Sequence, residues 1–276
     1  MADYLTRRIA PEEELAPVFD ELTVWSSRFG ALLLDHLEIR PSIRGLDLGC
    51  ATGFPLIELA RVHGPRSRFI GVDIWKAALA VARQKIELEQ LANVEVKHAD
   101  ASDLPFDDAS FDLITSNLGI NNFERTDQAF AEAFRVARPR ARIVLTTNPI
   151  GTLPEVYEVI RGVLRAVAPD SIPDLDHQER HRGTVESIQT ALEAAGFEIT
   201  RTIPSRFQMG FADGTALLHH QLCICFLPGW RSALPRAKEA EIFAAVEATL
   251  NERAGRLGSL RGSVEMVYLE AEKPAG

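Results

Sequence analysis

The sequence predicts an α/β fold, with a mostly parallel sheet covered by helices on both faces. Three observations carry that prediction. Short apolar runs alternate with stretches of helical periodicity from residue 43 to residue 147. The runs are apolar along most of their length, as strands buried on both faces require. A glycine-containing turn at 49–53 follows the first run, at the position where open α/β sheets bind ligands.

The elements follow in chain order. Residues 1–38 read as a helical cap, because Leu15, Val18, Phe19, Leu22, Trp25 and Phe29 recur at three- and four-residue spacing and Leu32, Leu33, Leu34 and Leu37 continue the pattern. Strands are expected at 43–48, 68–73, 94–98, 111–116 and 142–147, with helices at 55–63, 76–91 and 123–137. Pro55 suits a first helical turn, where its missing N–H costs little. A helix is expected at 154–167, followed by a polar loop at 168–182 containing Pro169 and Pro173. Thr184 reads as the N-cap of the next helix, with Ser187 rather than Glu at the capping-box position. That helix stops at Ala195-Gly196, where glycine supplies the C′ residue. Strands at 197–203 and 263–271 complete the set. The segment between them, 204–262, is too long for a turn and holds helix-like runs at 214–226 and 236–255.

Composition narrows the function. The net charge of −9 argues against a nucleic-acid partner, which calls for a basic face. No stretch approaches the roughly 18 apolar residues of a membrane span. Residues 1–10 carry Asp3, Arg7 and Arg8 and lack the apolar core of a signal peptide. These features point to a cytoplasmic enzyme without a membrane partner. Cys50, Cys223 and Cys225 are too few and too odd for a disulfide framework. Cys223-x-Cys225 and the pair His177 and His181 lack the further ligands a zinc site needs, so no metal is expected.

The residues that carry chemistry sit at strand ends. The first strand runs into Leu46-Asp47-Leu48-Gly49-Cys50-Ala51-Thr52-Gly53, a turn whose glycines let the backbone approach a ligand. Asp73 ends the second strand, where a carboxylate accepts hydrogen bonds from ribose hydroxyls or caps the following helix. Asp100-Ala101 follows the third strand, and Asn117 ends the fourth. Together, Leu46 to Gly53, Gly71-Val72-Asp73, Asp100-Ala101-Ser102-Asp103-Leu104-Pro105-Phe106 and Ser110-Phe111-Asp112 resemble the class I S-adenosylmethionine-dependent methyltransferases. The similarity is greatest to the branch that includes the ubiquinone/menaquinone-biosynthesis methyltransferases, and it covers residues 40–205 plus the final strand.

The resemblance implies a Rossmann-like, seven-stranded, mostly parallel sheet whose last strand is antiparallel. The cofactor-binding domain would then be 39–203 plus 263–276; the cap 1–38, with Phe19, Trp25 and Phe29, and the insertion 204–262 are rich in apolar and aromatic residues and are expected to cover the substrate. The resemblance also implies S-adenosyl-L-methionine as cofactor. Asp47, Gly49, Cys50 and Gly53 would line its methionine part, and Asp73 would hold the ribose. Ile74 would stack on the adenine, Asp100 would bind the adenine amino group, and the Ala101 backbone would face the ring. Asn117 would lie near the sulfonium and the methionine amino group. The family often has glycine where this chain has Ala51.

Two other readings compete. A nicotinamide dinucleotide oxidoreductase would need a Gly-x-Gly-x-x-Gly fingerprint, and the spacing of Gly49 and Gly53 does not supply it. A catalytically silent relative would bind the cofactor and act as a partner protein. Methyl transfer from a sulfonium is an in-line displacement, so the protein mainly aligns the acceptor and excludes water. The sequence from Ser116 to Ile120 lacks the Pro-Pro-aromatic continuation that resembles base methylation of nucleic acids. A small apolar or aromatic acceptor, methylated at oxygen or carbon, is therefore expected, with transfer to nitrogen left open by the sequence. His219 and His220 are the candidate bases. As neighbours on a helix they point about 100° apart, so at most one faces a pocket. The ordinary reading of each is a surface or core histidine. The sequence leaves open whether the chain is a monomer or a homodimer.

Overall fold

The computed structural model describes residues 3–5, 12–180 and 183–275. The apolar runs become β1 (Arg44–Leu48), β2 (Arg68–Asp73), β3 (Val94–His98), β4 (Phe111–Asn117), β5 (Ala137–Thr147), β6 (Glu198–Phe211) and β7 (Leu260–Glu272). Helices α1 (Glu12–Leu15) and α2 (Thr23–His36) precede them. Between the first five strands come α3 (Leu56–His63), α4 (Lys76–Leu88) and α5 (Thr126–Val136). Then follow α6 (Pro154–Val167), α7 (Ile172–Arg180) and α8 (Val185–Ala194) before β6, and α9 (Gly214–His219), α10 (Gln221–Ser232) and α11 (Glu239–Leu257) before β7.

Among the described residues these strands form one seven-stranded sheet in the order β3-β2-β1-β4-β5-β7-β6. Pairing is parallel from β3 to β5, with Leu46 level with Ile70 on one side and Ile114 on the other. The β7 strand joins β5 in antiparallel register, placing Leu145 opposite Leu269. The expected seven-stranded, mostly parallel sheet is therefore observed. Strand order runs outward in both directions from β1, so the carboxyl ends of β1 and β4 flank the crevice where such sheets bind ligands. Leu46, Leu48, Ile114, Ile143, Leu145 and Leu269 are buried along the sheet, and Phe130 and Ala133 of α5 cover one face with Leu192 of α8 and Phe197.

The chain divides into two compact units. One comprises 10–147, 185–204 and 266–276 and holds the sheet from β3 through β5 with α2 to α5 and α8. The other comprises 1–9, 148–184 and 205–265 and holds α6, α7 and α9 to α11. In that second unit, Tyr4 lies edge-on to Phe243. Among the described residues no helix is long and apolar enough to cross a membrane.

Several local expectations need correction. The segment expected as a polar loop at 168–182 is largely helical, as a single turn Pro169–Ser171 followed by α7. Both prolines fall in first turns, where a missing N–H is tolerated. One apolar residue, Leu175, is buried, and Arg161 of α6 pairs with Asp176 and Glu179. Such a helix is set by side-chain pairing and not by a periodic apolar face, so its sequence reads as polar. The helix expected at 214–226 is broken at His220, whose extended backbone separates α9 from α10. The β5 strand begins at Ala137 rather than at 142, through a register shift between Phe111 and Leu113. That shift takes over the last residue assigned to the preceding helix, and α5 itself starts at Thr126. The β6 and β7 strands extend well into 204–262, to Phe211 and from Leu260.

Leu145 is fully buried between β4 and β7. Leu145→Ala is expected to lower unfolding free energy by about 2–5 kcal/mol in a urea titration. Leu88→Ala, at a side chain 84% exposed, is expected to change it by less than about 0.5 kcal/mol.

Candidate functional site

The turn after β1 is tied to β2 through its backbone. The N–H groups of Gly49 and Cys50 both donate to the Val72 carbonyl, at 2.9 and 3.1 Å. The N–H of Ala51 donates to Asp73 Oδ2 at 2.8 Å. Gly53 N–H closes the turn on the Cys50 carbonyl at 2.8 Å, and Gly53 accepts from Ile57 at the start of α3. Ala51 sits at φ 44°, a left-handed conformation that costs an alanine about 1–2 kcal/mol. The bond to Asp73 offsets part of that cost. Cys50 turns its side chain into the core beside Gly71, and burial pushes its thiol up.

Two carboxylates stand behind this turn. Asp47 is buried, and Thr115 donates its hydroxyl to Oδ1 at 2.6 Å. Its Oδ2 is buried without a hydrogen-bond partner. Burial raises the Asp47 carboxyl to about 7; the Thr115 bond opposes that shift and the nearby Asp73 charge adds to it. Asp73 accepts from Trp75 N–H at Oδ1, also at 2.8 Å, and so shapes the entry to α4. A carboxylate has about four acceptor sites, so two remain on Asp73 for a ligand. The sequence left a helix-capping role and a ligand role as alternatives for Asp73; its geometry accommodates both.

The remaining predicted residues occupy the neighbouring strand ends. Ile74 is 65% exposed, an unusual setting for a large apolar side chain beside a strand-end carboxylate. Asp100 follows β3 and accepts from the Ser102 N–H and hydroxyl, at 2.8 and 2.7 Å. Those bonds, with Arg125 at 3.2 Å, hold its carboxyl below the usual range. Ala101 is buried. Asn117 accepts from the Thr146 hydroxyl at 2.8 Å and donates to the Ser26 carbonyl of α2 at 3.3 Å. The structure thus brings Asp47, Gly49, Cys50, Gly53, Asp73, Ile74, Asp100, Ala101 and Asn117 to the carboxyl ends of four adjacent strands.

The candidate bases lie in the other unit. His219 shares its Nδ1 proton with the Thr215 carbonyl at 2.8 Å and meets Tyr4 edge-on at 5.0 Å. His220 lies against Phe211 at 5.4 Å, and burial lowers its pKa, favouring the neutral ring. His177 lies on α7, whereas His181 and the Cys225 side chain fall outside the described residues. Cys223 is buried. Among the described residues no group of three or more His, Cys, Asp or Glu could hold a metal ion.

Two parts of the site escaped the sequence reading. Arg135 of α5 donates to the carbonyls of Phe106 and Leu104, at 2.7 and 3.0 Å, and pairs with Glu132 and Asp108. Glu132 in turn accepts from the Leu104 N–H at 2.8 Å. This pair clamps the loop that follows Asp100. Its only sequence signal is the three-residue spacing of an ordinary surface ion pair. Trp75, edge-on to Phe19 at 5.1 Å, lies between Asp73 and the start of α4 and leaves its buried indole N–H without a partner.

A family model described as a methyltransferase domain matches residues 39–192. A demethylmenaquinone methyltransferase of Staphylococcus aureus (strain JH9) is 28% identical over 211 residues, covering 73% of this chain and 83% of the relative. Among solved structures, the YcgJ protein of Bacillus subtilis superposes with a TM-score of 0.59 at 20% identity, covering 91% of this chain and all of the other. A SAM-dependent methyltransferase of Aquifex aeolicus superposes with a TM-score of 0.54 at 18% identity, covering 71% of this chain and 93% of the other.

Because the folded Asp47 carboxyl is raised above its ordinary value, the folded chain holds a proton that the unfolded chain releases from about pH 4 upward. Stability from this group is therefore lost as pH rises toward 7. Asp47→Asn, which keeps the acceptor for Thr115, removes the loss. Urea titrations at pH 5 and pH 7.5 are expected to show the native chain losing roughly 2–3 kcal/mol relative to the variant across that interval.

Proposed function

The chain belongs to the methyltransferase-domain family, and on that premise we propose that it transfers a methyl group from S-adenosyl-L-methionine to a small apolar or aromatic acceptor, at oxygen or carbon. The observation that carries the reading is the convergence of the glycine turn, Asp73, Asp100 and Asn117 on the carboxyl ends of adjacent strands. The residues suit this cofactor. Gly49 presents backbone without a side chain, the unpartnered Asp47 Oδ2 lies behind the turn, and exposed Ile74 offers an apolar platform.

Asp47, Gly49, Cys50 and Gly53 would line the methionine part, Cys50 through its backbone. Asp73 would accept from the ribose hydroxyls at its two unused positions. Ile74 would pack against the adenine, Asp100 would accept from its amino group, and the Ala101 backbone would face the ring. Asn117 would lie near the methionine amino group. When bound, the cofactor supplies an electrophilic methyl on a positively charged sulfur. The protein's part is to align the acceptor and keep water out. A base is needed only for an acceptor protonated at neutral pH.

The acidic net charge and the absence of a Pro-Pro-aromatic sequence after Asn117 support a small molecule over nucleic acid. Similarity to a demethylmenaquinone methyltransferase supports an acceptor of that apolar kind. Calorimetry is expected to show binding of S-adenosylmethionine and S-adenosylhomocysteine and none of NAD. Asp73→Ala is expected to weaken both by about tenfold or more, through the loss of two ribose hydrogen bonds together with the Ala51 and Trp75 bonds that shape the turn. Binding of NAD alone would overturn the proposal. Transfer of labelled methyl to quinols and phenols, measured beside transfer to RNA, tests the acceptor class. Binding without transfer to any acceptor would favour the silent partner protein.

A further inference from the structure

Gly119, just beyond the end of β4, occupies a tight point of the ligand edge. A side chain there would place its first carbon 2.5 Å from Ser116 Oγ and 2.6 Å from the Leu48 carbonyl oxygen, with Gly49 Cα at 3.4 Å. The reverse holds too: a side chain on Gly49 would stand 3.0 Å from Gly119 Cα. A methyl group on Gly119 therefore has no room against Ser116 and Leu48, and one on Gly49 would crowd Gly119. One of the obstructing atoms is a main-chain carbonyl of β1, which cannot swing away as a flexible side chain could.

The surrounding bonds fix the same approach. Ser116 donates its hydroxyl to the Leu48 carbonyl at 2.8 Å, joining the end of β4 to the end of β1. Leu118 takes a left-handed backbone at φ 64°, and its N–H donates to the Thr146 carbonyl at 2.8 Å, turning the chain so that Gly119 faces Gly49. Thr146 and Thr147 donate their hydroxyls to Asn117 and Asn121, at 2.8 and 2.5 Å, so β5 holds the same loop from its other side. The ends of β1, β4 and β5 are stapled into one surface, with the Gly49–Gly119 contact at its centre.

We propose that Gly119 is a positioning residue for the cofactor turn: its missing side chain sets how closely the end of β4 supports Gly49. The inference rests on the reading that the turn 49–53 holds S-adenosylmethionine. Gly119→Ala pushes the turn away from β4 by several tenths of an ångström. The methionine end of the cofactor, seated on that turn, is affected first. The adenosine end, held by Asp73 on β2 and Asp100 after β3, is affected least. A variant that merely loosens the fold would weaken both ends alike.

The test measures dissociation constants for S-adenosylhomocysteine and for adenosine in the full chain and in Gly119→Ala, with urea stability recorded in parallel. Gly162→Ala, at a helical position where a new side chain meets nothing within 4 Å, is the control and is expected to leave both constants unchanged. Gly119→Ala is expected to weaken S-adenosylhomocysteine by about tenfold or more while adenosine changes by less than about threefold. Equal weakening of the two ligands, or unchanged affinity in a folded variant, would overturn the assignment. If Gly119→Ala does not fold, Ser116→Ala, which removes only the hydroxyl staple, decides: a selective loss for S-adenosylhomocysteine supports the assignment, and unchanged binding overturns it. Absence of S-adenosylhomocysteine binding by the unmodified chain would overturn the functional reading and this inference with it.

Discussion

The hydrogen bond from the Ala51 N–H to the Asp73 carboxylate joins the two features on which the ligand edge depends. Without it, the turn after β1 would hold an alanine in a left-handed backbone with no local compensation. With it, the turn and the end of β2 become one unit, reinforced by the two N–H groups that share the Val72 carbonyl. Asp73 then shapes the entry to α4 through Trp75, so one side chain coordinates a turn, a strand end and a helix start. Its two remaining acceptor positions are the ones available to a ligand.

The electrostatics of the edge follow from burial. Asp47 lies beneath the turn, is desolvated, and carries one acceptor atom with nothing to bind. An unsatisfied buried acceptor costs about 1–3 kcal/mol. Such a cost is ordinary at a site that gains its last partner from a ligand. Asp100 lies in the opposite regime: it is held ionised by Ser102 and Arg125 near the surface. Two carboxylates at one sheet edge therefore differ in character because one is buried and the other is wrapped by donors.

The fold was largely legible in the sequence because its central strands β1, β2 and β4 are mostly buried and the helices between β1 and β5 are periodic, two signals that arise directly from burial. The ligand-edge residues were legible for a different reason: a glycine turn and strand-end carboxylates stand out against an apolar background. The α7 helix was not legible, since ion pairs with Arg161 hold it and a single leucine anchors it. The break at His220 was hidden because apolar residues continue on both sides of it. The Arg135–Glu132 clamp and the Gly49–Gly119 contact depend on which backbone atoms meet across strands, and one-dimensional spacing does not encode that. Both support the residues that spacing does reveal.

The central claim is that the turn 49–53 and Asp73 together seat S-adenosylmethionine. A crystal of the full chain grown with S-adenosylhomocysteine tests it most directly. The expected result is ligand density over Gly49 to Gly53, with ribose oxygens within hydrogen-bond distance of Asp73 and the adenine ring against Ile74. Density bound elsewhere, with Asp73 still bonded only to Ala51 and Trp75, would contradict it.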